Sequence, residues 1–189
     1  MFYEKRLKFL LIADAWANLG IGMIGPIWTI FVEKVGGDIL DAGFAYFVFL
    51  LTSGVVMYLI SKWEDHVKHK EKLIVISYFL FAIGCFSYLF VHDKTTLLIP
   101  QVILGVATAI LCPVFDAIYS SYIIKKEETS DWGTWEAMAY IVTAFAALLG
   151  SYLANEFGFR ILFLFMFLAS LIAALVSIGL FRNKKYLNS

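Results

Sequence analysis

The chain has 189 residues and no formal net charge; 61% of its residues are hydrophobic and only 16% are charged. With a mean hydropathy of +0.82, it cannot be an ordinary soluble domain, in which about 25% of residues are charged. It is also not basic enough to indicate a nucleic-acid-binding protein. The sequence predicts an integral membrane protein surrounded by lipid.

Six apolar stretches are each long enough to cross a bilayer as a helix. In chain order they cover residues 7–32, 42–60, 73–91, 97–124, 132–154 and 159–181. Barrel strands would be shorter and would alternate in polarity, so helices are the structure that satisfies these backbones in lipid. We predict one domain over residues 1–189, an all-α bundle of six transmembrane helices. The first stretch carries Asp14 and has no clear leader-cleavage pattern, so it is interpreted as an uncleaved span.

Lys and Arg residues are distributed unevenly between the two sides of this bundle. One side collects Lys5, Arg6, Lys8, Lys62, Lys68, Lys70, Lys72, Lys125, Lys126, Arg182, Lys184 and Lys185, whereas Lys34, Lys94 and Arg160 lie opposite. The positive-inside rule therefore predicts both termini in the cytoplasm, and we expect the cell membrane as the location. The tryptophans at the cytoplasmic span ends, Trp63, Trp132 and Trp135, are predicted to form an aromatic belt.

Polar and small side chains form stripes on three of the six helices. The stripes are Asp14, Asn18, Gly22, Gly25 and Thr29 on the first; Gln101, Gly105, Thr108, Cys112, Asp116 and Ser120 on the fourth; and Glu136, Tyr140, Thr143, Ala147 and Gly150 on the fifth. Intervals of three or four residues place each set on one helix face. These helices are expected to surround a shared feature, and the third and sixth to face lipid. Small residues also suit close helix packing, and isolated polar groups can join helices by hydrogen bonds. This structural alternative stays open for the glycines and for Asn18, Gln101, Thr108 and Tyr140, while Glu136 also suits the first turn of a helix.

Two acids in these stripes are predicted to lie at one depth. Asp14 follows the start of its span by seven residues and Asp116 precedes the end of its span by eight, so both lie about 10 to 12 Å from the same boundary. An ionisable group costs at least about 2.5 kcal/mol at the centre of a span and needs a functional reason. We predict a substrate and proton cavity lined by Asp14, Asn18, Thr29, Gln101, Thr108, Asp116, Glu136 and Tyr140.

Catalytic and metal signatures are weak. His66 and His69 flank Lys68 in the charged stretch at 61–72 without a further ligand cluster, so we expect no metal and no other cofactor. The sequence has no HExxH or GxSG pattern, and its three histidines lie outside the spans, which argues against an intramembrane enzyme.

Several local patterns, taken in order, resemble the major facilitator superfamily. After its second helix that superfamily has Gly, three residues, Asp, Arg or Lys, one residue, Gly and two basic residues; here the corresponding positions are Ser61, Asp65, His66, Lys68, His69 and Lys70. The aspartate and the final basic pair fit, whereas Ser61 and Lys68 replace glycines and His66 replaces the preferred arginine. The resemblance implies that Asp65, His66, His69 and Lys70 belong to a cytoplasmic gating loop.

The resemblance extends along all six spans. GIGMIGPIWTIFVEKVG resembles the first helix of the superfamily, residues 99–113 its fourth, and residues 147–163 its passage from the fifth helix to the sixth. Gln101 stands where many members have arginine. Superfamily members normally have two six-helix halves, and this chain resembles the first half alone. The resemblance implies that helices one and four line the transport path and that helices two and five form the contact between halves.

We therefore expect a half-size secondary transporter of a small solute that works as a parallel homodimer by alternating access, with protons as a candidate coupling ion. Six spans return the chain to its starting side, so two copies can insert in the same orientation. Two alternatives stay open: a membrane-embedded solute-binding subunit of a multi-component transporter, and one half of a split transporter that needs a separate second half. The expected partners are a small molecule, protons, membrane lipid and a second copy, with no nucleic acid.

Overall fold

The computed structural model describes residues 2–123 and 127–181, with side chains from residue 6 onward. Its helices are α1 (Phe2–Gly22), α2 (Trp28–Lys34), α3 (Ile39–His66), α4 (Lys70–Ser87), α5 (Leu98–Ser120), α6 (Glu128–Phe157) and α7 (Phe159–Ser177). Six segments of the described chain are long and apolar enough to span a membrane, because α1 and α2 together form one of them. The predicted all-α bundle of six transmembrane helices is confirmed.

The first span is interrupted, although its sequence is continuously apolar. A 3-10 turn at Gly25–Ile27 separates α1 from α2, with Pro26 at its start. Proline removes a backbone donor and clashes with the preceding turn, which favours a break in the α-helix at this point. By contrast, Pro113 lies within α5 without ending it.

The charged stretch at 61–72 is mostly helical. α3 continues to His66 and α4 begins at Lys70, which leaves residues 67–69 as the connection.

At its other end α3 begins with a capping box, in which the Asp38 side chain accepts hydrogen bonds from the backbone N–H groups of Leu40 and Asp41. The bond from the Asp41 amide is the main reason why the pKa of Asp38 lies below its usual value.

Two ion pairs identify the ends of the bundle. Arg6 lies 3.8 Å from Glu71 at the start of α4, so this end holds the start of α1 and the α3–α4 connection; we call it the N-terminal end. Lys94 lies 3.2 Å from Asp41 at the start of α3, at the opposite end, which we call the far end. Gly158 turns the chain from α6 into α7 there with φ of +81°, a conformation that side-chain-bearing residues rarely adopt.

The helices pack in the order α3, α5, α4, α7, α1, α6. Glycines allow the close approaches that the stripes suggested: a Cβ on Gly105 would lie 2.9 Å from the Phe49 carbonyl oxygen, and one on Gly150 would overlap the backbone of Met23. α3 and α6 end this order, and only 11% and 17% of their apolar windows are buried, against 50% for α4 and α5. The protomer therefore leaves α3 and α6 as its least covered helices.

Candidate functional site

Asp14 is the centre of a hydrogen-bond network that joins three helices. Its side chain is only 7% exposed. Oδ2 accepts hydrogen bonds from Trp135 Nε1 of α6 at 2.8 Å and from Asn18 Nδ2 at 3.1 Å, and Oδ1 accepts a longer one of 3.4 Å from the Tyr78 hydroxyl of α4. Buried carboxylates require such partners. No described lysine or arginine forms an ion pair with Asp14, so its donors are all neutral groups.

An aromatic cluster holds Trp135 in position. The ring of Trp135 lies 5.2 Å from Phe115 and 5.6 Å from Tyr119, both on α5, and 5.5 Å from Trp132 (centroid distances). The Tyr119 hydroxyl donates a 2.6 Å hydrogen bond to the carbonyl oxygen of Asp131. Through these contacts, α1, α5 and α6 come together near the N-terminal end.

The two acids predicted to share a depth differ in environment. Asp14 is buried within the protomer, whereas Asp116 on α5 is exposed on it. The structure thus places the Asp14 carboxyl inside the bundle and the Asp116 carboxyl at its surface.

A cavity of about 440 Å³ lies toward the far end, between α1, α3 and α5. Its walls are mainly aromatic and aliphatic and include Trp28, Tyr46 and Phe49. Gln101 and Tyr88 also line the cavity, and Gln101 Nε2 donates a 2.7 Å hydrogen bond to the Tyr88 hydroxyl. Both side chains are buried, at 4% and 3% exposure. This space can hold a small organic molecule next to one amide and several aromatic rings.

The remaining predicted cavity residues are spread over the protomer. Asn18 joins Asp14, and Thr108 is half-buried on α5, but neither Thr108 nor Thr29 lines the 440 Å³ cavity. Thr29, Glu136 and Tyr140 are exposed, Tyr140 at 72%. Two of the predicted residues, Asp14 and Asn18, therefore lie together, and Gln101 lies at the cavity. The others are half-buried or exposed on the single chain.

The predicted gating residues lie around the α3–α4 connection. Lys70 Nζ lies 3.7 Å from Asp65, and His66 Nδ1 lies 2.7 Å from the Lys62 carbonyl oxygen, while His69 immediately precedes α4. Beside them Glu64 is only 3% exposed, and neither of its carboxyl oxygens has a hydrogen-bond partner in the described part of the chain. The ion pair ties the end of α3 to the start of α4.

Trp135 and Tyr78 of the Asp14 network and Tyr88 of the 440 Å³ cavity are not among the site residues that the sequence predicts. Trp135 stands at a span end and was assigned to the aromatic belt, whereas its indole nitrogen bonds Asp14. Tyr78 and Tyr88 belong to the third span, which was expected to face lipid. Each carries a hydroxyl within an apolar segment, and a buried hydroxyl needs a hydrogen-bond partner. That need is the feature of the sequence from which the two tyrosines could have been identified.

A model of the family described as Major Facilitator Superfamily matches residues 10–188. The chain is 24% identical over 174 residues to an uncharacterised MFS-type transporter of Methanocaldococcus jannaschii, covering 92% of this chain and 45% of the relative. It is 22% identical over 187 residues to multidrug resistance protein 2 of Bacillus subtilis, covering 95% and 45%. With quinolone resistance protein NorA of Staphylococcus aureus it shares 22% over 167 residues, covering 88% and 42%.

Among solved structures, the POT family transporter PepTSo superposes with a TM-score of 0.69 at 12% sequence identity. The superposition covers 92% of this chain and 37% of that transporter, and it shows a shared fold. The chain thus spans less than half the length of the relatives that it matches.

Proposed function

The chain belongs to the major facilitator superfamily, and from this membership we propose that it forms one half of a secondary transporter that moves a small solute by alternating access. The observation that carries the proposal is the buried Asp14 carboxyl, which neutral donors hold where α1, α4 and α6 meet. A buried acid without a cationic partner is costly in a membrane and indicates a functional role. The superfamily is one of transporters rather than enzymes.

A second copy of the chain supplies the other half in this proposal. Six spans give both copies the same orientation, so that they can pair about an axis along the membrane normal. The poorly covered helices α3 and α6 support this pairing, because they are the second and fifth spans, which the superfamily places between halves. Asp116, Glu136 and Tyr140, which are exposed on the protomer, would then lie beside or within a central path.

Protons are the proposed coupling ion. The Trp135 indole and the Asn18 amide group donate hydrogen bonds to Oδ2 of Asp14 and suit its ionised form. A proton taken up at Oδ1 can be donated to Tyr78, because the tyrosine hydroxyl can reverse and accept. Asp14 can therefore carry or release a proton without losing its bond to Trp135, and the exposed Asp116 offers an exchange point with water.

The proposed orientation places both termini in the cytoplasm of a cell membrane. Support comes from the distribution of basic residues, most of which lie near the N-terminus, between the second and third spans, or after Tyr122. The N-terminal end, with Asp14, then faces the cytoplasm. In this orientation the 440 Å³ cavity would lie in the half of the bundle toward the outside.

The proposed substrate is a small organic molecule with apolar rings. Support comes from the 440 Å³ cavity, whose walls are mainly aromatic and aliphatic and whose lining residues include no charged side chain. Two relatives are named for resistance to quinolones and to multiple drugs, which supports a planar amphipathic substrate.

Transport in proteoliposomes tests this function. With norfloxacin as the quinolone probe, an imposed pH gradient is expected to drive accumulation by the wild-type protein, and the Asp14→Asn/Asp116→Asn double variant is expected to lose that drive. Glu156→Gln, which removes an exposed carboxyl near the far end of α6, is the matched control and is expected to keep the drive. Accumulation that ignores the gradient and is unchanged in the double variant would refute proton coupling.

The oligomeric mass in nanodiscs tests the second copy independently. Two chains per particle are expected in transporting preparations. A single chain per particle, with transport restored only by a different six-helix chain, would replace the homodimer by a split transporter.

A further inference from the structure

A second pocket, of about 570 Å³, opens at the far end of the bundle. It lies between the end of α2, the turn after α4 and the α6–α7 junction. Three basic side chains line it, Lys34, His92 and Arg160, together with the rings of Phe159 and Phe163. No aspartate or glutamate is among its lining residues, so the pocket combines positive charge with an aromatic wall.

The cations of this pocket are available to a ligand. Lys34 and Arg160 are exposed, and neither forms an ion pair with a carboxylate in residues 6–123 or 127–181. Lys34 Nζ lies 5.3 Å from the centroid of the Phe159 ring, an arrangement that keeps the lysine beside the start of α7. His92 differs, since its Nε2 lies 3.3 Å from Asp93, which offsets part of the local charge.

The pocket lies where the first, third and sixth spans begin or end, and lipid head groups are expected at the ends of spans. Lys34 is the last residue of the first span and Phe90 the last of the third, while Arg160 is the second residue of the sixth. Phe90 and Phe157 line the same pocket and are 65% and 59% exposed, so large apolar rings face the surrounding lipid next to the cations. A ligand that combines an anionic group with an acyl chain would match both parts of this surface.

We propose that the pocket formed by Lys34, His92, Arg160 and the adjacent phenylalanines binds an anionic phospholipid in the leaflet at the far end. The phosphate lies between the Lys34 and Arg160 side chains, because guanidinium and ammonium groups are the preferred protein partners of phosphate. The acyl chains extend along the exposed rings of Phe90 and Phe157. This site requires neither the transport function nor a particular orientation of the chain.

Binding of short-chain lipids to the purified protein tests the site. Dioctanoyl-phosphatidylglycerol and zwitterionic dioctanoyl-phosphatidylcholine are titrated by native mass spectrometry. The wild-type protein is expected to bind phosphatidylglycerol about 25-fold more tightly, since each of the two basic residues near an anionic lipid contributes about fivefold in affinity. The Lys34→Gln/Arg160→Gln double variant is expected to lose this preference. The Lys34→Arg/Arg160→Lys variant keeps both charges and is expected to keep the preference.

Two controls show whether the pocket cations and the acyl chain are both required. Lys94→Gln removes a cation at the same end but outside the pocket, so it is expected to leave the preference unchanged. Free glycerol phosphate, which has no acyl chain, is expected to compete poorly. Equal binding of the two lipids, a preference that survives in the Lys34→Gln/Arg160→Gln variant, or equally strong competition by glycerol phosphate would each overturn the proposal.

Discussion

The two ends of the bundle differ in their buried polar groups and in their cavities. Near the N-terminal end, helices converge on Asp14, whose carboxyl is buried and bonded by Trp135, Asn18 and Tyr78. Toward the far end, the break at Gly25–Ile27 and the turns after α4 and α6 accompany two cavities of about 440 and 570 Å³. The buried carboxyl and its three donors therefore lie at the N-terminal end, which we call the tight end, and the two ligand-sized cavities lie toward the far end.

This difference has a simple physical basis. A buried carboxyl needs donors within hydrogen-bond distance, which requires neighbouring helices to approach closely. A cavity instead requires the helices to separate or break. In an alternating-access transporter, the tight end would be the closed gate and the open end the entrance, so contacts between α1 and α6 near Asp14 would have to weaken when the gate opens.

The largest expected effect comes from the close contact between Gly150 of α6 and the segment that follows α1. A Cβ at this position would overlap the backbone of Met23, which cannot move aside as a side chain can. We expect Gly150→Ala to destabilise the bundle by about 3 kcal/mol, measured as a lower denaturation midpoint in detergent. Gly133→Ala on the same helix is the control, because nothing lies within 4 Å of its new Cβ. Equal midpoints for the two variants would show that the stability of the bundle does not depend on this close approach.

A smaller loss is expected when the bond between Trp135 and Asp14 is removed. Trp135→Phe keeps an aromatic ring but deletes the donor at 2.8 Å from Oδ2. Leaving a buried charged acceptor short of one partner costs about 2 kcal/mol. The matched control is Trp63→Phe, because Trp63 is 57% exposed.

The same pair of variants tests the gate. If the bond between Trp135 and Asp14 helps to close the tight end, Trp135→Phe also changes the rate of proton-driven transport, whereas Trp63→Phe leaves that rate unchanged. A Trp135→Phe protein with wild-type stability and transport would remove the distinction between the two ends.

Sequence patterns predicted the six membrane-spanning segments and the relationship to the superfamily. They could do so because span length, charge and local motif order are properties of the chain itself. Counting residues also placed Asp14 and Asp116 at one depth, but depth does not determine the direction in which a side chain points. That direction depends on helix packing, which buries Asp14 and leaves Asp116 exposed.

The partners of Asp14 were harder to predict for a related reason. A tryptophan at a span end, such as Trp135, suits an aromatic belt and a buried hydrogen bond equally well, and the choice depends on a residue 121 positions away in the chain. Tyr78 lies in a span whose overall pattern is apolar. The break at Gly25–Ile27 was missed because hydropathy does not report backbone geometry, although Pro26 was visible.

The smallest effect is expected far from the tight end, at the helix cap formed by Asp38. Hydrogen bonding from the Asp41 amide lowers the pKa of Asp38 from its ordinary value of 3.8, so the folded state favours the ionised form. Its contribution is complete above the unfolded pKa and is lost as the pH falls through the lower folded value. Asp38→Asn retains a capping side chain without the charge. The variant is therefore expected to show a slightly flatter fall in denaturation midpoint between about pH 5 and about pH 3, a range that brackets the ordinary pKa of an aspartate. Identical pH profiles for the variant and the wild type would show that the Asp38 charge contributes nothing to folding at the far end.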